Sequence, residues 1–198
     1  FGKTVGFVFA VCVICAAVVS IAAVGLKDRQ VANKLLDQQT NVLEAAGILD
    51  KAMSSKEIVA KYEKLVDAKM IDLDSGEFIE GDAKLVRNEA GQVDSVVLPI
   101  VGSGLWDLMF GYVGLEADLN TVKSVVYSEH KETPGLGAEV MNPKWKALWP
   151  GKKIYNENGD VAARLVKGGA NKDDIHGVDG LSGATLTSNG VSNTLQFW

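Results

Sequence analysis

Apolar residues run without a charge from Val5 to Leu26 (VGFVFAVCVICAAVVSIAAVGL), with Ser20 as the one clearly polar side chain. As a helix, at 1.5 Å per residue, this stretch reaches ~33 Å, enough for a hydrocarbon core of ~30 Å. The apolar part of a cleaved leader is shorter, ~7–15 residues, so residues 1–27 are expected to be a permanent single-pass anchor. Beyond it Val31, Leu35, Val42, Ala46 and Leu49 recur at helical spacing among polar residues. That pattern predicts an amphipathic stalk over residues 28–53, helical to about Ala46 and stopped by Gly47. Ser54 and Glu57 have the spacing of a capping box and open a second helix with Ile58, Tyr62 and Leu65 on one face.

After Asp72 the period changes. Ala83–Arg87, Val93–Val101, Thr121–Tyr127 and Val161–Val166 read as strands separated by Gly, Asn and Asp turns. Pro99 suggests an edge position or a strand end for its run. Asn142-Pro143 suits the cap and first residue of a short helix carrying Trp145 and Trp149 four apart. A Trp pair at that spacing belongs more often to a core than to a ligand. Toward the end of the chain, Val191, Leu195 and Trp198 share one helical stripe. The order of elements predicts an α+β architecture: one transmembrane helix, then a single domain over residues 54–198 with a mainly antiparallel sheet and flanking helices.

Charge narrows the functional classes. The 198 residues carry 20 basic and 25 acidic side chains, a net charge of −5. Lys3 is the only charged residue before Lys27, so the region beyond the anchor is the acidic part, and nucleic acid is not an expected partner. Cys12 and Cys15 have Cys-x-x-Cys spacing but lie inside the apolar span, where thiolates are costly; they read as small packing residues. No phosphate-binding P-loop is present, and Asp107 occupies the third glycine position of a dinucleotide fingerprint starting at Gly102. Asp72–Glu77 begins like a calcium loop but lacks the later ligands, and reads as a solvated turn. Two histidines, His130 and His176, without cysteines near them do not make a zinc site, so no metal is expected.

Two runs remain. Glu129–Ala138 contains Glu132-Thr133-Pro134-Gly135-Leu136-Gly137, whose glycines let the main chain approach a flat ligand or simply form a tight turn. Asp179-Gly-Leu-Ser182-Gly183-Ala184-Thr185-Leu186-Thr187 precedes the last helix. Small residues, hydroxyls and a helix N-terminus suit a phosphate. Plain N-capping by Thr185 or Thr187 is the alternative.

The second run resembles the flavinylation motif Asp-x-x-Ser/Thr-Gly-Ala-Thr. Together with Gly104-Leu105-Trp106-Asp107-Leu108-Met109, the Glu132–Gly137 turn and Asn142-Pro-Lys-Trp-Lys146, the chain resembles the C-subunit family of sodium-translocating NADH:quinone reductases. The G subunit of the related ferredoxin:NAD electron-transport complex shares the threonine motif and the Glu132–Gly137 turn; the Gly-Leu-Trp and Asn-Pro-Lys-Trp runs favour the sodium pump. The resemblance implies FMN moved from FAD by a flavin transferase and held as a phosphoester on Thr185. It places Ser182, Gly183, Ala184, Leu186 and Thr187 around the phosphate and ribityl chain, and Glu132, Thr133, Gly135, Leu136 and Gly137 beside the ring, with Leu105 and Trp106 further candidates. Asp179 falls to recognition by the transferase or to capping a turn. It further implies a bacterial inner-membrane protein with a periplasmic domain, touching lipid and the other subunits of its complex. Such a chain relays electrons, with no catalytic acid or base and no turnover of its own. A cofactor-free envelope binding module is the competing class.

Overall fold

A computed structural model of the chain describes residues 1–50, 52–71 and 78–197. The calcium-like run 72–77 and Trp198, the last member of the predicted C-terminal stripe, lie outside the described residues. The chain forms two compact units, Phe1–Asp37 and Gln38–Trp198.

The first unit belongs to helix α1 (Gly2–Ala45), whose N-terminal part is long and apolar enough to cross a membrane and keeps its apolar side chains exposed. The helix continues from the apolar span into the polar stretch without a break. Its last turns belong to the second unit, where Val42, Leu43, Ala45 and Ala46 are buried. Gly47, at φ 71°, takes the left-handed conformation that ends the helix, and Ile48 N–H closes back onto the Leu43 carbonyl at 3.0 Å. Helix α2 (Ser55–Leu65) starts as its sequence predicts, with the Ser54 N–H donating to Glu57 Oε2 at 2.7 Å.

Five strands follow in one antiparallel meander: β1 (Val66–Ile71), β2 (Phe78–Arg87), β3 (Val93–Ser103), β4 (Leu108–Glu116) and β5 (Val122–Glu129), adjacent in chain order. β3 is an interior strand, but its pairing with β2 stops at Lys84↔Val97. Pro99 therefore pairs only with Tyr112 of β4, which is how a residue without an N–H is accommodated there. β1, which precedes Asp72, and β4 were not among the predicted strands, although Met109, Gly111, Val113 and Leu115 alternate in β4. Two glycines at Gly111 and Gly114 weaken its β signal. Those glycines are required by packing: a Cβ at Gly114 would stand 1.9 Å from the Ala45 carbonyl oxygen.

The sheet is covered on both faces. Val42, Ala45 and Ala46 pack with Val86, Val97 and Val126 on one side. On the other, Ile100, Met109, Val113, Val125 and Tyr127 meet the rest of the chain. That rest comprises a 3₁₀ turn (Gly137–Met141), helix α3 (Pro143–Lys146), two short parallel strands β6 (Arg164–Val166) and β7 (Gly177–Asp179), and helix α4 (Thr185–Phe197). Only the end of the predicted Val161–Val166 strand pairs as one; Val161 itself makes an isolated bridge to Tyr155. Trp145 and Trp149 sit edge to face, 5.6 Å between centroids, inside this second core. The Asn142 side chain caps α3 by accepting from Lys144 N–H at 2.9 Å. Helix α4 lies close on β3, because Gly190 lets it approach the Ser103 carbonyl and Gly102 makes room for Thr194.

Candidate functional site

The parallel pairing of β6 with β7 sets Val166 beside Asp179, so the loops that follow both strands leave the same end. After β7, residues 180–184 lead directly into α4. The Leu181 N–H is taken by Ser188 Oγ at 2.9 Å and the Gly180 N–H by the Val166 carbonyl at 2.9 Å, which fixes this loop against its own helix and against β6. Gly183 has φ 73°, a left-handed conformation that favours glycine, and a Cβ there would also press on Leu136 Cδ2 at 2.9 Å.

Thr185 is the first residue of α4 and is exposed; its hydroxyl has no partner among the described residues. Thr187 is buried and donates from Oγ1 to Glu132 Oε2 at 2.5 Å. Neither threonine caps the helix, which removes the capping alternative drawn from the sequence: Thr185 lies already inside the first turn, and Thr187 points to another segment. The first helical bond into this turn is Ser188 N–H to the Ala184 carbonyl at 3.0 Å, leaving the N–H groups of Thr185, Leu186 and Thr187 at the open end of the helix.

Glu132 is 5% exposed and holds three segments together. Besides Thr187, its Oε1 accepts from Leu105 N–H at 2.8 Å and from Trp106 N–H at 3.2 Å. Gly137 leaves room for this junction, since a Cβ there would stand 2.3 Å from Glu132 Oε2. Both Glu132 oxygens are thus committed to protein groups. Around the junction, Leu105, Trp106, Leu136 and Leu186 are all exposed. The Trp106 Nε1–H donates to Thr133 Oγ1 at 3.2 Å, joining the two turns at the surface, and Gly135 has φ 75°, the turn conformation that lifts Leu136 outward. Next to Trp106, Asp107 bonds to Lys131 and to the Leu108 N–H, which holds its carboxyl below the usual range; the same contact raises Lys131.

Two open clefts flank the Asp179–Ser182 segment. One, of about 490 Å³, is lined by Lys167, Gly168, Gly169, Gly183, Thr185 and Asn189 among others. The other, of about 520 Å³, is lined by Gly135, Glu139, Asn142, Lys144, Trp145 and Leu148. Asp179 belongs to both walls: its Oδ1 accepts from Ala170 N–H at 2.8 Å, and its carbonyl accepts from Trp145 Nε1–H at 2.9 Å.

Residues 104–198 match the FMN-binding domain family. The whole chain is 40% identical to the C subunit of the Na(+)-translocating NADH-quinone reductase of Yersinia pestis, covering 100% of this chain and 88% of that one. It is 38% identical to the same subunit of Pseudomonas aeruginosa, over 99% of this chain and 90% of the relative. The chain belongs to the C-subunit family of these reductases.

The crystal structure of Shewanella oneidensis NqrC is similar at a TM-score of 0.77, with 36% identity over 84% of this chain and 92% of that one. The C subunit of the Parabacteroides distasonis reductase is similar at 0.73, with 30% identity over 87% and 92%. The predicted fold, a long apolar helix followed by a mainly antiparallel sheet with flanking helices, is the fold of this family. The family match begins at Gly104 and includes every site residue expected from the sequence, from Leu105 to Thr187. Folding brings those residues together around Glu132 and the start of α4. Sequence reasoning missed the Lys167–Gly169 wall of the first cleft. The two consecutive glycines, at φ 84° and 104°, directly after a base and a short strand were the available signal.

Proposed function

We propose that this chain carries FMN as a phosphoester on Thr185 Oγ1 and relays electrons between fixed partners in a membrane complex that couples NADH:quinone electron transfer to sodium export. The observation that carries the reading is Thr185 itself: an exposed hydroxyl with no protein partner among the described residues, in the first turn of α4, on the rim of a cleft. A threonine buried in the fold would be out of a transferase's reach and could not hold a group outside it. Thr187, two residues on, is committed to Glu132.

The residues fit the group. The open N–H groups of the first turn and the helix dipole suit a phosphate. Gly183 leaves the space that a side chain would take, Ser182 adds an exposed hydroxyl, and Ala184 buries its methyl beneath the helix start. Leu136, Leu186, Leu105 and Trp106 offer exposed apolar surface for a flat ring system. In maturation by a flavin transferase, Thr185 Oγ1 bonds to the phosphorus of the FMN half of FAD, the pyrophosphate P–O bond breaks, AMP leaves and the hydroxyl proton passes to solvent. Once attached, FMN supplies electron transfer at its isoalloxazine, and the phosphoester at the far end of the ribityl chain leaves the ring chemistry to non-covalent contacts. The bond prevents loss by dilution, and the chain's own task is to hold the group at a constant high effective concentration.

The relay reading assigns no turnover of a soluble substrate to the isolated chain. It places α1 in the bacterial inner membrane as a single-pass anchor beside lipid and other subunits, and the FMN-binding domain in the periplasm. Asp179 takes part in recognition by the transferase as well as in its turn.

The test is flavin fluorescence in a denaturing gel, with the chain expressed beside a flavin transferase. Wild type and Thr187→Ala are expected to fluoresce and Thr185→Ala to be dark. A fluorescent Thr185→Ala band overturns the site, and a dark wild type with a working transferase control favours a cofactor-free binding module.

A further inference from the structure

We propose that Lys167 is the charge partner of the phosphate on Thr185, a positioning residue on the lining of the same cleft. The inference rests on the Thr185 reading above. Three observations carry it. Thr185 lines the cleft of about 490 Å³, and among the described residues lining that cleft Lys167 is the only base. The second cleft does contain Lys144, but together with Glu139, and Thr185 is not on its wall.

The Lys167 turn is also built in place. It follows β6 directly, and the parallel β6–β7 pair delivers it to the same end as the loop that carries Ser182 and Gly183. The Gly169 N–H bonds to the Val166 carbonyl at 3.2 Å, and the Ala170 N–H to Asp179 Oδ1 at 2.8 Å. Through that bond the first residue of the threonine motif pins the turn that follows Lys167. Strand β6 is tied to α4 as well, by the Leu165 N–H to Ser192 Oγ at 2.9 Å. Loop and helix are therefore both tied to β6.

Electrostatics supplies the reason. A phosphodiester keeps one negative charge at neutral pH, in a chain whose net charge is −5. The helix N-terminus offers only about half a unit of positive charge. Asp179 is the sole acid among the described residues of the cleft lining, and its Oδ1 is turned onto the Ala170 N–H. Lys167 is exposed and makes no ion pair among the described residues, so its ammonium is available on a flexible stem. A compact point charge of this kind is suited to a phosphate that arrives by group transfer and then stays.

The experiment uses the full chain in a phosphorus-free detergent, loaded by the flavin transferase. The ³¹P resonance of the phosphoester is expected to shift by more than its linewidth in Lys167→Ala and Lys167→Gln, to stay near wild type in Lys167→Arg, and not to move in Lys144→Ala. The initial rate of FMN attachment is expected to fall about tenfold in Lys167→Ala and to recover to within about threefold in Lys167→Arg. An unchanged ³¹P resonance in Lys167→Ala overturns the proposal, including the case where loading alone is slowed, since Lys167 would then serve transferase docking. If Lys167→Ala accepts no FMN at all, Lys167→Arg decides: restored loading supports the charge role, and equal failure overturns it. Inability of wild type to load on Thr185 would instead remove the reading on which this rests.

Discussion

Glu132 is the residue whose role the structure changes most. In the sequence it stands at the head of a turn beside the expected ring site. In the folded chain it is buried, with both oxygens accepting from protein donors, so its carboxylate sets the distance between the Leu105-Trp106 turn and α4. Removing it leaves two N–H groups and one hydroxyl without partners, each costing about 1–3 kcal/mol where water cannot enter. Glu132→Ala is therefore expected to lower stability by about 3 kcal/mol in urea unfolding. Glu132→Gln is expected to lose only about 1 kcal/mol, because the amide oxygen still accepts from the turn and the Thr187 hydroxyl can rotate to accept from the amide nitrogen. Equal losses in the two variants would sink this account. The threonines show the same limit at the scale of single residues: the sequence offers two hydroxyls near one helix start, and only the structure shows one exposed and one locked to Glu132.

Helix α4 bears the proposed acceptor threonine, and its seat on β3 fixes where that threonine stands. The seat depends on Gly190, because a Cβ there would lie 1.9 Å from the Ser103 carbonyl oxygen, a backbone atom that cannot swing aside. Gly190→Ala should push α4 off the sheet, costing about 3 kcal/mol by overpacking, and should also reduce FMN attachment at Thr185. Gly114→Ala meets the Ala45 carbonyl at the same 1.9 Å but on the opposite face, so a comparable loss of stability should leave attachment on the folded fraction unchanged. Parallel measurement of thermal unfolding and gel fluorescence separates the two. Most elements were legible from local pattern: the capped start of α2, the Gly47 stop, the Asn142-Pro143 helix, and β2, β3 and β5; β1 was not, lying before Asp72 where no strand was expected. β4 was not, since its glycines answer to α1 and β5 across the fold and not to their neighbours in sequence. β7 was not either, because a three-residue strand carries too little periodicity to read, so the partner of the Val161–Val166 run stayed hidden.

Across the whole molecule, the folded domain reaches back into α1. The compact unit begins at Gln38, and Val42, Leu43, Ala45 and Ala46 are buried in it, so the last two turns of the helix belong to the core. A chain starting at Gln38 should fold cooperatively in water without detergent. One starting at Gly47 strips Val42 and Leu43 from the core, about 2 kcal/mol each before the exposed sheet face is counted, and should unfold at far lower urea or fail to fold. Circular dichroism with urea titration distinguishes the two starting points, and equal midpoints would refute the assignment.

By itself the sequence determined what local chemistry can specify. Twenty-two residues without a charge determine a membrane-length helix, glycine and serine determine helix ends, alternation marks most strands, and the Asp179–Thr185 motif marks the candidate acceptor. Tertiary structure alone decided what depends on partners far along the chain. Glu132 finds Leu105 at 27 positions and Thr187 at 55, and Lys167 and Thr185 line one cleft because two short strands run parallel. Those contacts have no periodicity to betray them; they exist because close packing brings remote backbone donors and a buried carboxylate to the same place.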